Sequence, residues 1–260
     1  MPLISTPTFF ANKPPQRIVS LVPSQTELLA DLGLEQEVAG ITKFCVHPNQ
    51  WWRNKRRIGG TKTVDVAAVL ALQPNLVIAN KEENVAEQVL EIAATVPTYV
   101  SDMGNLNEAL AMINTIGQLT HREQQADAII DKIKNGFNHL TPLNPPLKAA
   151  YLIWKEPWMT VGNDTFIHHM MQLAGFENVF ADRQRYPAVE WSEIAATAPD
   201  VLLLSSEPYP FKEKHIAALQ PLLPQTRIVL VDGEMFSWYG SRLLHAPRYF
   251  TQLQKDITNK

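Results

Sequence analysis

The feature that most constrains this chain is a pattern written once in each half. Val69-Leu70-Ala71-Leu72-Gln73-Pro74-Asn75-Leu76-Val77-Ile78-Ala79 is echoed by Ile194-Ala195-Ala196-Thr197-Ala198-Pro199-Asp200-Val201-Leu202-Leu203-Leu204. In both, an apolar helix end meets a proline, then an amide or acid, then an unbroken apolar run. A residue before proline is pushed out of the helical region, so each proline marks a helix end. An apolar run without polar alternation reads as a strand covered on both faces, which belongs in a parallel sheet. Two such units point to two related α/β lobes rather than one continuous sheet.

The remaining elements fit that frame. Arg17 to Val22 is a strand candidate ending at Pro23, followed by a helical run through Leu28, Leu29 and Leu32 that stops at Gly33. Ser24 and Glu27 have capping-box spacing at its start. Further strands are expected at Val38 to Ile41, Thr98 to Val100, Ala149 to Trp154 and Arg227 to Val231, and further helices at Glu83 to Ala94, Thr165 to Ala174 and Leu244 to Ile257. Leu106, Leu110, Ile113, Ile116, Leu119, Ala126, Ile129, Ile130 and Ile133 recur at helical spacing, so one long helix is expected over residues 106–140, with Gly117 as a place to bend. The expected domains are an N-terminal lobe over residues 1–105, this backbone helix, and a C-terminal lobe over residues 141–260. A chain of 260 residues can bury two such cores.

Composition removes several function classes. Lys and Arg number 23 against 26 Asp and Glu, a formal net charge of −3, too near neutral to steer nucleic acid; the basic run Arg53, Lys55, Arg56 and Arg57 beside Trp51 and Trp52 is local. Cys45 is the single cysteine, so no intrachain disulfide forms. No apolar run is long enough to insert in a membrane. Residues 1–15 show no leader pattern, leaving either a cytoplasmic protein or one whose export signal is absent from this sequence.

Motifs for chemistry are also missing. There is no G-x-G-x-x-G, phosphate loop, H-E-x-x-H pair or G-x-S-x-G elbow. Adjacent His168 and His169 project in different directions from a helix and make no ligand pair. An enzyme is therefore not expected. The competing reading is a cytoplasmic metal-dependent enzyme or sensor using Cys45, His47 and Arg242.

What remains suits binding. Trp51, Trp52, Trp154, Trp158, Trp191 and Trp238 include several in loops, where an indole can cover a flat organic ligand, although aromatics also fill ordinary cores. Trp154, Trp158 and Trp238 are taken as ligand candidates. Tyr239, Ser241 and Arg242 add hydrogen-bonding groups around Gly240, and Gly60, Thr61 and Lys62 form a turn that can present amides and a cation to an anion. Gly60 either occupies a positive-φ position of this turn or lies in a permissive surface loop. Arg183 and Arg185 are further cations suited to a carboxylate or phosphate.

Arg17 to Glu27, the Gly59-Gly60-Thr61 turn and Leu72 to Val77, then Gly162 to Ile167, Leu173 to Phe180 and Pro199 to Val201, occur in an order that resembles the substrate-binding proteins of cobalamin and iron-siderophore ABC importers. The resemblance runs from about Arg17 to Ile257. It implies a class III periplasmic-binding-protein-like fold, two Rossmann-like α/β lobes with parallel-sheet cores joined by a backbone helix. It also implies a cobalamin-like corrinoid or ferric siderophore held in the interlobe cleft without a catalytic cofactor, and a cell-envelope location. Docking to a permease is implied through Glu27 on the first lobe and Glu193 or Glu190 on the second, with Ser192 at the position where relatives carry the docking acid.

Overall fold

The computed structural model describes residues 3–4, 7–10 and 12–259; part of the N-terminal stretch read above for a leader lies outside them. In chain order the elements are β1 (Ile18–Ser20), α1 (Pro23–Asp31), β2 (Val38–Ile41), α2 (Asn49–Asn54), β3 (Arg56–Arg57), α3 (Val66–Ala71), β4 (Leu76–Asn80), α4 (Ala86–Ala93), β5 (Thr98–Ser101), α5 (Leu106–Thr120) and α6 (Glu123–Asn138). There follow β6 (Leu147–Leu152), β7 (Trp158–Met159), α7 (Phe166–Leu173), β8 (Phe176–Asn178), β9 (Ala188–Val189), α8 (Trp191–Ala196), β10 (Val201–Ser205), α9 (Glu213–Leu219), β11 (Arg227–Val231), α10 (Glu234–Ser237) and α11 (Ala246–Thr258).

The chain divides into two compact units. The first comprises Met1–Met103, Asn107–Lys132 and Tyr239–Arg242; the second comprises Gly104–Leu106, Ile133–Trp238 and Leu243–Lys260. Each has its own sheet. In the first the strand order is β3-β2-β1-β4-β5, with every pairing parallel. In the second it is β11-β10-β6-β8, again parallel throughout, with a separate antiparallel pair β7-β9. All five residues of both β4 and β10 are buried. Each large apolar side chain so buried is worth about 1.5–3 kcal/mol, which is why these runs lie within the sheets.

The repeated proline motif has a conformational basis. Gln73 and Ala198, the residues just before Pro74 and Pro199, both take positive φ, 47° and 42°, and so end α3 and α8 in the same way. Asn75 and Asp200 then use their side chains alike. Asn75 Oδ1 accepts the Arg17 N–H at 2.9 Å, beside β1, while Asp200 Oδ2 accepts the Lys148 N–H at 2.8 Å, at the start of β6. A short polar side chain after each proline thus aligns the neighbouring strand.

Two expectations change. The segment read as one helix is helical from Leu106 to Asn138 but is interrupted at His121 and Arg122, where His121 has φ 54°. Gly117 is no simple bend. A Cβ there would lie 2.5 Å from that of Ala126, so glycine lets α5 and α6 pack closely within the first unit. The capping box expected at Ser24 and Glu27 is also absent: α1 starts at Pro23, its N-cap is Val22, and no side chain caps it. Proline at the first helical position leaves one fewer amide to satisfy and frees Glu27 for another partner.

Candidate functional site

In the first unit the Gly59-to-Lys62 turn closes on itself. The Gly60 N–H donates to Thr63 O at 3.0 Å, and Thr63 N–H returns a bond to Gly60 O at 3.3 Å. Positive φ falls on Gly59, at 95°, and not on Gly60. A Cβ on Gly59 would sit 2.3 Å from Thr63 O, whereas one on Gly60 would first meet side chains, those of Thr63, Phe44 and Lys43. Asn84 Nδ2 ties the turn to the end of β1 by donating to Thr61 O at 3.1 Å and Leu21 O at 3.2 Å. Lys62 gives its ammonium to the Glu82 carbonyl. The turn is firmly held, but the Gly60 amide is spent inside it.

Cys45, one of the alternative metal candidates, is fully buried. Thr26 and Thr42 hydroxyls each lie 3.1 Å from its Sγ. Burial pushes the thiol pKa up, and these hydrogen bonds offset only part of that. Among the described residues, no group of three or more His, Cys, Asp or Glu is placed to hold a metal ion.

The second unit gathers aromatic side chains from loops and strand ends. Trp154 meets Tyr209 edge-on at 5.6 Å, Tyr209 meets Phe211 at 4.7 Å, and Phe211 lies parallel to Trp158 at 6.3 Å. Trp158 also packs on Trp191 at 5.6 Å. Trp154 is 39% exposed, Phe211 is buried, and Tyr209 and Trp158 are half-buried against the apolar core of the second unit. His215 backs Tyr209 and Phe211 and accepts the Lys212 N–H on Nδ1 at 2.8 Å. Burial and the nearby Lys214 and Lys155 charges lower its pKa, favouring a neutral ring. Tyr209 and Phe211 escaped the sequence reading, although an aromatic pair around Pro210, just past the C-terminal end of a parallel strand, is where such folds place ligand groups.

The Trp238-to-Arg242 cluster is divided by the structure. Trp238, in the second unit, is buried and its Nε1 donates to Glu207 Oε1 at 2.8 Å; the same oxygen accepts Ser237 Oγ at 2.7 Å. Burial raises the Glu207 pKa, opposed by those hydrogen bonds. Tyr239 and Ser241, in the first unit, are buried, and Gly240 passes so near α1 that a Cβ would lie 2.8 Å from Ser24 O. Arg242 holds Glu27 in a bidentate pair, Nε to Oε2 at 3.0 Å and Nη2 to Oε1 at 2.6 Å. The two side chains are 13% and 15% exposed. Desolvation raises the Glu27 pKa despite the Arg242 and His47 charges.

The docking candidates of the second unit lie at the start of α8, Glu190 as its N-cap and Glu193 in its first turn. Glu193 accepts the Glu190 N–H at 2.7 Å and Arg183 Nη2 at 2.6 Å. These bonds lower its pKa, the backbone bond first and Arg183 next. The helix-start bond expected of Glu27 is therefore made by Glu193. Ser192 is exposed beside it.

The family model for periplasmic binding proteins matches residues 18–224. The chain belongs to that family. Vitamin B12-binding proteins are among its curated relatives: that of Vibrio campbellii is 25% identical over 214 residues, 79% of this chain and 76% of that one. That of Yersinia pestis is 24% identical over 249 residues, 93% and 87% of the two chains. Among solved structures, the periplasmic vitamin B12 binding protein of Vibrio cholerae superposes with a TM-score of 0.81 at 19% identity, covering 95% of this chain and 99% of that one. A periplasmic heme-binding protein from Roseiflexus gives 0.79 at 21% identity, covering 94% and 99%. Two α/β lobes with parallel sheets are the fold of this family, and its members bind solutes rather than transform them.

Proposed function

We propose that this protein reversibly binds a cobalamin-like corrinoid or a ferric chelate and delivers it to the permease of an ABC importer at the cell envelope. The observation that carries this reading is the aromatic row Trp154–Tyr209–Phe211–Trp158. A row of rings anchored in the core and ending in an exposed indole offers an apolar face to a large, rigid ligand at low entropic cost, with polar edges left for orientation. Membership of a binding-protein family and relatives named for vitamin B12, heme and iron support the ligand class. The enzyme or sensor alternative gains no support from Cys45, whose thiol is buried against two hydroxyls.

Tryptophan fluorescence tests the reading. Titration with cyanocobalamin and with ferric siderophores should give saturable quenching by one of them, and Trp154→Phe should reduce the amplitude while Tyr209→Ala weakens affinity by roughly tenfold. Quenching that is absent for both classes refutes the ligand class.

A further inference from the structure

The basic run near Trp51 and Trp52 has no place in the aromatic row, and it is more one-sided than composition implied. From Val38 to Val64 the chain carries six cations, Lys43, Arg53, Lys55, Arg56, Arg57 and Lys62, and no Asp or Glu, although the whole chain has a net charge of −3. Lys55, Lys62 and Arg57 donate to the carbonyls of Glu35, Glu82 and Trp52. Lys43 and Arg57 are set against exposed aromatic rings. Lys43 Nζ lies 5.1 Å from the centroid of Phe44, and the Arg57 guanidinium 4.9 Å from that of Trp52. Trp52 Nε1 donates to Lys43 O at 3.1 Å, which joins the two pairs into one surface.

That surface is open. Phe44 is 51% and Trp52 39% exposed, and Lys43 and Arg57 are exposed as well. It also adjoins the glycine turn, since a Cβ on Gly60 would come within 3.1 Å of the Phe44 ring. Charge on an edge strand is a common guard against edge-to-edge pairing, which accounts for Arg56 and Arg57 on β3. It does not account for Lys43, Phe44 or Trp52, which lie off that strand. Exposed rings interleaved with cations, free of any acid in the same segment, suit a ligand that is both aromatic and negatively charged.

We propose that Lys43, Phe44, Trp52 and Arg57 form a binding face selective for an anionic chelate, one whose rings lie on Phe44 and Trp52 while its negative groups meet Lys43 and Arg57. This rests on the ligand class proposed above and narrows it: an iron tris-catecholate or a carboxylate-bearing corrinoid fits, and a neutral iron tris-hydroxamate or unmodified cyanocobalamin fits less well.

The test compares pairs whose members differ in net charge: a ferric tris-catecholate against a ferric tris-hydroxamate, and a monocarboxylate of cyanocobalamin against cyanocobalamin itself. Calorimetry would be run on the wild type, Lys43→Gln, Arg57→Gln and Arg57→Lys, with melting curves to confirm equal folding. The anionic member should bind at least about tenfold tighter, and added salt should shrink that advantage. Lys43→Gln and Arg57→Gln should each remove most of the preference while leaving affinity for the neutral member unchanged, and Arg57→Lys should retain part of it. Equal affinity for both members, or a preference that survives both Gln variants, overturns the proposal yet leaves the ligand class standing. Failure of all four ligands to bind defeats both. Arg57-dependent sedimentation with phosphatidylglycerol vesicles in place of any charge preference would make the face a membrane contact and overturn the proposal too.

Discussion

At the residue scale the two partly buried carboxylates carry the sharpest predictions. Burial raises the Glu207 pKa above its ordinary value, so the folded state binds a proton more tightly than the unfolded state. The stability that Glu207 contributes is therefore present at acid pH and is lost as pH rises through its folded pKa. Glu207→Gln keeps an oxygen for Trp238 and Ser237 but has no charge to desolvate. It should stabilise the protein at neutral pH by on the order of 1 kcal/mol, and the gain should vanish below the ordinary carboxylate range. Thermal melts across pH check this; a Gln variant less stable than wild type at every pH contradicts it. For Glu27 the sign of a partner's loss is opposite. Arg242→Met leaves the carboxylate in its desolvated place without its counter-charge, so its pKa should climb further. The cost should be about 2 kcal/mol at neutral pH, less than for a fully buried pair because both groups keep some exposure. It should shrink on acidification as Glu27 is protonated. Neither pairing was legible in the sequence: Glu27 and Arg242 are far apart in the chain, and a Ser-x-x-Glu spacing matches a helix cap equally well.

At the scale of elements the sequence was most informative where local chemistry repeats. The proline motifs at Pro74 and Pro199 located β4 and β10 because an apolar run after a forced helix stop has little choice but to enter a sheet. Helical periodicity found α5 and α6 but not the break between them, since the apolar positions continue in step across His121 and Arg122, where the backbone turns. The short strands β3, β7, β8 and β9 carry too few residues to show a period. Gly59 and Gly60 show the same limit, as adjacent glycines give no sign of which one needs the left-handed backbone. The structure makes a discriminating prediction: Gly59→Ala should cost roughly 2 kcal/mol or more, because its Cβ would meet backbone at positive φ, and Gly60→Ala clearly less. Denaturant midpoints compare them. Equal loss in both would contradict the assignment of strain to Gly59.

For the whole molecule, the ordered motifs placed the fold, and membership of the periplasmic binding protein family agrees with them. The binding surface was less legible. Trp154 and Trp158 were readable as candidate ligand indoles, but Tyr209 and Phe211 become neighbours of Trp154 and Trp158 only after folding. The proposed permease docking adds a prediction at this scale. Glu27 is held by Arg242 at 15% exposure, whereas Glu193 shares its charge with Arg183 at 38%. A more exposed pair exchanges partners at lower cost, so Glu193→Gln should weaken association with the permease by about tenfold and Glu27→Gln by less. Association unaffected by either change, at low and high salt, would remove both residues from the docking surface.

The central claim is reversible binding of one corrinoid or ferric chelate without chemical change. Isothermal titration of purified protein with cyanocobalamin, a carboxylated cobalamin, and neutral and anionic ferric siderophores, followed by mass analysis of the recovered ligand, tests it most directly. The account predicts saturable heat for at least one of these and recovery of that ligand intact. Flat titrations throughout, or a ligand recovered chemically altered, would contradict it.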